Sequence, residues 1–264
     1  MKETEEKVVW ITGASSGIGE ALTYAYSKKG YKIVISSRNE NALENVKNNT
    51  TNPDKIYVLP LDLTDITSLT QKTEEAIRAF GSISILINNA GVSQRSLIID
   101  TNIEVYKKLM AVNYLGTVAI TKAILPHFIK QKKGQFVTVT SLMGKFSSPY
   151  RSGYCGVKHA LHGFFDALRM EHEKDGILVT LVCPGFVHTN VAKNALTSDG
   201  TAQNQEDKAT ENGLPVAVFA KKMITAIEKE KFEVYIGRKE IMGVYLKRFF
   251  PKLLHKIVLK SEVR

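Results

Sequence analysis

A tyrosine and a lysine stand four residues apart in the stretch SGYCGVKHAL: Tyr154 and Lys158, with Cys155, Gly156 and Val157 between them. On a helix this spacing brings both side chains to one face. A free phenol titrates near pKa ~10 and hardly ionises at neutral pH. A nearby ammonium favours the phenolate and lowers that value, so the tyrosine can pass a proton near physiological pH. Taken alone, Y-x-x-x-K is more often a solvated contact on a helix surface. Its neighbours in the chain have to decide.

The elements that would position such a pair begin with an apolar run, KVVWIT, followed by TGASSGIG, Thr12 to Gly19. Gly13, Gly17 and Gly19 keep a G-x-x-x-G-x-G spacing, with Ser15, Ser16 and Ile18 among them. Glycines permit a tight turn and close backbone approach to a ligand. A helix starting near Gly17 aims free N–H groups and its positive dipole end at a pyrophosphate. Between a first strand and a first helix, such a loop is a dinucleotide signature. The second strand ends ISSRN, which puts Ser37 and Arg38 about twenty residues further on, where NAD sites place a carboxylate for the ribose diol. A carboxylate would repel a 2′-phosphate, whereas the planar fork of Arg38 pairs with one. The expected cofactor is therefore NADP(H). The third strand runs into LDLTD, where Asp62, beside Leu63, can accept from an adenine amino group. The fourth runs into NNAG, whose Asn89, Ala90 and Gly91 let the backbone lie against a cofactor.

The 264 residues suit one large α/β domain or two small ones, and 44% hydrophobic content fills a core. Short apolar runs (KVVWIT, YKIVIS, KIYVLPL, ISILIN, GQFVTVT, ILVTLVCP and FEVYIG) alternate with helical patterns near 17–30, 39–48, 65–80, 101–131, 152–174 and 214–229. That alternation predicts a single-domain Rossmann fold over residues 1–240: a doubly wound, mostly parallel seven-stranded sheet with helices on both faces. The polar stretch from Asn194 to Gly213 reads as a mobile insertion, which places a substrate lid near 190–213. No run of about 18 uncharged apolar residues exists, so no membrane-spanning helix is expected. The first residues lack a signal peptide's long apolar segment, and two cysteines make no disulfide framework. A cytoplasmic location is expected. His159 and His162 stand three apart on one helix, but nothing adjacent completes a metal site, and none is expected.

The net charge is +10, and Lys231 to Arg264 holds nine basic residues against three glutamates. The basicity is concentrated in the tail, and no nucleic-acid-binding pattern accompanies it. Residues 241–264 form a basic, amphipathic extension. Leu246, Phe250, Leu253 and Ile257 recur at helical spacing beside Lys252, Lys256 and Lys260, with a break near Pro251. Three uses compete for it: packing on its own subunit or a dimer partner, peripheral contact with an anionic membrane through residues 241–260, or neither.

In chain order, TGASSGIG, NNAG, Asn113, Ser141, Tyr154, Lys158 and PGFVHT (Pro184 to Thr189) resemble the short-chain dehydrogenase/reductase family over residues 7 to about 240. The stretches YCGVKHALHGFFDALRMEH and EVYIGRKEIMGVYLKRFFPKLLHKIVLK look like its branch containing the 11β-hydroxysteroid dehydrogenases. That resemblance implies a four-residue catalytic group. Tyr154 is its acid and base, Lys158 tunes the phenol and holds the nicotinamide ribose, Ser141 donates to the substrate oxygen, and Asn113 holds a water that relays protons to Lys158. It also implies that Pro184, Gly185, Val187 and Thr189 lie beneath the nicotinamide, that NADP(H) is used, and that the chain forms a homo-oligomer, a dimer or tetramer. The expected activity is reversible reduction of a lipophilic carbonyl to an alcohol, with Ser141, Met143, Tyr154 and Phe186 on the substrate side. Val92, Leu142, Phe146 and Tyr150 also flank the chemistry in sequence and suggest an apolar pocket. The alternatives are a hydroxysteroid or 3-hydroxyacyl dehydrogenase, or a catalytically idle NADP-binding scaffold whose tail binds a membrane or partner.

Overall fold

The computed structural model describes residues 7–261, and each of the seven apolar runs supplies a strand of one sheet. The strands are β1 (Val8–Thr12), β2 (Lys32–Ser36), β3 (Ile56–Val58), β4 (Ile85–Asn88), β5 (Gly134–Val139), β6 (Ile177–Pro184) and β7 (Glu233–Ile236). Their order is β3-β2-β1-β4-β5-β6-β7, and every pairing is parallel. The helices are α1 (Gly17–Lys28), α2 (Glu40–Asn48), α3 (Leu69–Phe80), α4 (Ile103–Met110), α5 (Gly116–Gln131), α6 (Ser152–Glu171), α7 (Lys208–Glu211), α8 (Val216–Glu228), α9 (Met242–Phe249) and α10 (Pro251–Lys260).

Both faces of the sheet are covered, which is why its strands read as unbroken apolar runs. The two-residue period of β1 divides them. Val9 and Ile11 join the core that holds Leu22 and Tyr26 of α1 and Phe219 and Met223 of α8. Val8 and Trp10 join the opposite core, with Ile120, Ile124 and Phe128 of α5 and Phe165 of α6. Each fully buried Ile or Leu here contributes about 1.5–3 kcal/mol. The Trp10 indole N–H donates to Ser36 Oγ at 2.9 Å, so the ring is buried without an orphaned donor.

Element ends differ from the sequence expectations where side chains bond locally. The helix expected from residue 65 starts at Leu69, because Asp65 to Ser68 form a turn in which the Thr67 hydroxyl donates to Asp65 Oδ1 at 2.7 Å. A π-helical turn, Ala111–Leu115, joins α4 to α5. The resulting helix, Ile103–Gln131, is long and apolar enough by composition to cross a membrane, although Lys107, Lys108 and Lys122 leave it without a run of 18 uncharged residues. It lies along the sheet instead, with Ile120, Ile124 and Phe128 wholly buried in the second core.

The tail packs on its own subunit. Leu254 is buried, and Val244, Leu246 and Val258 are partly buried, against Leu142, Phe146 and Tyr235. Pro251 opens α10 at its first turn, where a missing N–H costs nothing. Phe249, Phe250, Leu253 and Ile257 remain exposed.

Candidate active site

Where β1 turns its two edges to β2 and β4, the loops at the carboxyl ends of the strands diverge and leave a crevice. It is a cleft of about 700 Å³, a size that takes a cofactor and a small substrate. Gly13, Ser15, Ser16, Gly17 and Ile18 line it from the first loop, Ser37 and Arg38 from the end of β2, and Asp62 and Leu63 from beyond β3. Asn89, Ala90 and Gly91 follow β4, Ser141 and Met143 follow β5, and Pro184, Gly185, Phe186, Val187 and Thr189 reach the wall from the end of β6. Tyr154 and Lys158 face it from α6.

Backbone packing explains the glycines. Gly13 has φ +66°, and a Cβ there would stand 2.7 Å from Ala90 Cα. The turn and the NNAG loop are stitched together at that point. Thr12 Oγ1 accepts from the N–H groups of Asn89 and Ala90 at 3.1 and 3.2 Å, and Asn89 Nδ2 donates to the Thr12 carbonyl at 3.0 Å. Gly19, expected against the cofactor, lies outside the wall. A Cβ there would meet the Gly13 carbonyl oxygen at 2.3 Å, so its role is helix-to-loop packing. Bare backbone at Gly13 and Gly17, the start of α1 and a free edge of polar side chains fit a dinucleotide's phosphates. Arg38 is exposed at the end of this cradle and makes no ion pair among the described residues.

Ser141, Tyr154 and Lys158, expected to handle protons, come from the end of β5 and from α6. Ser141 follows β5; its hydroxyl accepts from Met143 N–H at 3.1 Å and stands close enough to the Tyr154 phenol to favour its ionised form. Lys158 is 4% exposed; its ammonium donates to the Val139 carbonyl at 2.8 Å and lies 5.6 Å from the Tyr154 ring centre. Burial lowers the Lys158 pKa to about 8. Burial raises the Tyr154 phenol above its ordinary value, against the pull of Ser141, Arg95 and Arg151. The lysine's spacing predicts a lowered phenol, but the cost of burying the phenolate outweighs these neighbours in the chain alone.

Asn113 sits in the π-helical turn, outside the cleft wall. Its side-chain amide exchanges two bonds of 2.8 Å with the main chain of Val92, accepting from the N–H and donating to the carbonyl. Gly91 lies between it and Lys158: a Cβ there would be 2.9 Å from Asn113 Oδ1 and 3.7 Å from Lys158 Nζ. Of the flanking apolar residues, Val92, Met143 and Phe186 reach the cleft. Leu142 and Phe146 do not, because the tail covers them. Tyr150 is also outside the wall.

Several residues that shape the site carry no motif. Gln94 is fully buried, and its Oε1 accepts from Gly153 N–H at 2.7 Å and Tyr154 N–H at 3.3 Å, capping α6 at the residue that matters. Arg95 and Arg151 both line the cleft and both bond to Asp207. Behind the site, the His162 ring lies between Cys183 and Glu233, with Nε2 3.8 Å from the thiol and Nδ1 3.4 Å from the carboxylate. The fold thus supplies the cysteine and acid that sequence did not place beside His162. The two ring nitrogens face different neighbours, and Lys145 sits 2.6 Å from the same carboxylate oxygen of Glu233.

Residues 7–200 match the profile of the family described as short chain dehydrogenase. The chain is 43% identical to human dehydrogenase/reductase SDR family member 7 over 256 residues, covering 94% of this chain and 76% of that one. It is 38% identical to the mouse SDR family member 7B, over 95% of this chain and 80% of the relative. A short-chain dehydrogenase from Streptomyces avermitilis superimposes with a TM-score of 0.83 at 25% identity, over 99% of this chain and 100% of that one. A Burkholderia phymatum short chain dehydrogenase/reductase, solved in complex with NAD, shares the fold with a TM-score of 0.82 at 23% identity, over 96% of each chain.

The buried ammonium makes a stability prediction. Lys158 has a lower pKa folded than unfolded. Below pH about 8 both states hold the proton, and the native state bears the cost of the buried charge. Between that pH and ~10.4 the unfolded chain holds more proton, so this group's contribution to stability rises with pH. Lys158→Met should therefore stabilise the cofactor-free chain at pH 7 by about 1–3 kcal/mol. Denaturant melts across pH 7–10 should show that gain shrinking above pH about 8. A gain independent of pH would contradict the assignment.

Proposed function

The chain belongs to the short-chain dehydrogenase family of oxidoreductases, and from that premise we propose that it is an NADP(H)-dependent reductase of lipophilic carbonyl compounds. The observation that carries this reading is the grouping of Ser141, Tyr154 and Lys158 on one wall of a cleft whose opposite end is a glycine cradle. When bound, the reduced nicotinamide supplies the hydride for the carbonyl carbon. Ser141 donates to the substrate oxygen as negative charge develops there, and Tyr154 delivers the proton that completes the alcohol. Lys158, fixed by the Val139 carbonyl, provides the positive charge beside the phenol and hydroxyl-binding capacity for a ribose. Asn113 keeps one lone pair of Oδ1 for a water directed at Lys158. In the oxidative direction the same groups act in reverse.

Arg38 supports NADP(H). It stands at the end of β2, exposed, with Ser37 and Asn39 rather than a carboxylate beside it. Val92, Met143, Phe186, Val191 and Leu196 make the substrate end apolar. Met143 also packs against the tail cluster, which places α9 and α10 beside the mouth of the cleft. Exposed Phe249, Phe250, Leu253 and Ile257 next to Lys252, Lys256 and Lys260 suit an anionic lipid surface, from which a lipophilic substrate would reach the cleft.

Three measurements test these statements. Tyr154→Phe should lower NADPH-dependent carbonyl turnover by about 10²–10⁴-fold with NADPH affinity intact; near-normal turnover would falsify the mechanism. Arg38→Asp should lower the ratio of NADPH to NADH efficiency by at least about tenfold, the worth of one charge-assisted phosphate contact; an unchanged ratio removes Arg38 from cofactor selection. Flotation with phosphatidylserine vesicles should recover the wild-type chain and lose a Phe249→Ser/Phe250→Ser/Leu253→Ser variant. Equal recovery of both, or of neither, rules out the lipid contact.

A further inference from the structure

The segment between Val187 and Leu214 leaves β6 and returns beside its own start, held at the neck by bonds of 3.0 Å from His188 N–H to the Leu214 carbonyl and 2.8 Å from Leu214 N–H to the Phe186 carbonyl. Between those points it crosses the cleft, and Asn190, Asn194, Leu196 and Thr210 form part of the wall. Leu196 pairs with the loop after β4: its N–H donates to the Ser93 carbonyl at 2.9 Å, and its carbonyl accepts from Arg95 N–H at 2.8 Å.

One carboxylate on this segment is bound differently from the rest. Asp207, which opens α7, is 1% exposed. Its Oδ2 accepts from Arg95 Nε at 2.8 Å, Arg95 NH2 at 2.6 Å and Arg151 NH2 at 3.2 Å, while its Oδ1 accepts from Gln203 at 3.2 Å. Both arginines are also buried, 4% and 5% exposed. Each is joined to the proton-transfer group. Arg151 stands three residues before Tyr154, at the start of α6. Arg95 follows Gln94, whose side chain caps the same helix at Tyr154 N–H.

We propose that Asp207 is a positioning residue that ties the closed lid to the two segments holding Tyr154, so that lid closure and the charge around the phenol change together. With the lid on, Asp207 offsets guanidinium charge within reach of Tyr154. With the lid lifted, that carboxylate leaves and the phenolate is favoured over the phenol. The other groups facing the phenol are Ser141 after β5, Lys158 and Cys155 on α6, and the two guanidiniums themselves. None of these is carried on the lid. Removing one partner of a buried charge pair costs far more than exposing a surface pair, so loss of this contact should loosen the lid beyond what its backbone bonds alone hold. The proposal rests on Tyr154 being the proton donor.

Asp207→Asn keeps the shape and removes the charge. The expected result is a lowered kcat/KM for carbonyl reduction whose high-pH limb moves down by about one pH unit, because guanidinium charge beside the phenol is no longer offset. Trypsin cleavage after Lys193 and Lys208, both exposed on the lid, should quicken at least about tenfold with the lid released. Asp207→Glu should restore much of both. A merely structural role would depress kcat/KM at every pH without moving the limb, and that outcome overturns the proposal. If Asp207→Asn does not fold, Arg151→Lys serves as the second variant. It weakens the same contact and should quicken lid cleavage, and unchanged cleavage overturns the proposal. The lid readout needs no turnover. If Tyr154→Phe keeps full activity and the same pH limb while lid cleavage still responds to Asp207→Asn, the reading of Tyr154 has failed and the tie between lid and helix has not.

Discussion

An ammonium buried against a single strand-end carbonyl is the constraint around which this structure is organised. Lys158 gives up nearly all contact with water to bond to Val139 at the end of β5. Such a charge is tolerated only where hydrogen bonds and geometry are fixed by rigid elements. β5 is rigid because it pairs in parallel on both sides, with β4 and β6, and continues past its end through Thr140 N–H to the Val182 carbonyl at 2.7 Å. The same strand end delivers Ser141. The same helix delivers Tyr154 one turn before the lysine. Fixing Lys158 therefore fixes all three groups.

Burial acts in opposite directions on the two titrating partners. It pulls Lys158 down to about 8 and pushes Tyr154 up from its ordinary value. In the chain alone the phenol is a reluctant acid, which suits a group that should not ionise before a dinucleotide arrives. A positive oxidised nicotinamide in the cleft would favour the phenolate, and the neutral reduced ring would lack that pull. The apolar cover of β5 and β6 keeps the local dielectric low enough for those charges to matter.

Much of this could be read from sequence because a parallel sheet covered on both faces writes itself as apolar runs, and because ligands bind where those runs end. The glycine turn, NNAG, Ser141 and the PGFVHT stretch each follow a strand directly, so finding the strand finds the residue. The Tyr154/Lys158 spacing reports a helix face, and it holds. What could not be read depends on distant segments meeting. Arg95, Arg151 and Asp207 come from three loops separated by more than fifty residues, and no periodicity links them. Gln94 caps α6 from outside the helix, so no local capping signal announces it. Leu142 and Phe146 looked like pocket residues because they flank Ser141 and Met143, but α9 and α10 fold over them. Gly19 belongs to the motif yet meets a carbonyl oxygen rather than the cleft, a distinction that spacing cannot draw.

The most direct test of the central claim is an ultraviolet difference titration of the phenol, taking the wild-type chain against Tyr154→Phe, with and without saturating NADP⁺. The account predicts that Tyr154 titrates above an ordinary phenol in the free chain and falls by about one pH unit or more when the positive nicotinamide is bound. A Tyr154 that titrates as an ordinary exposed phenol, indifferent to NADP⁺, would contradict it.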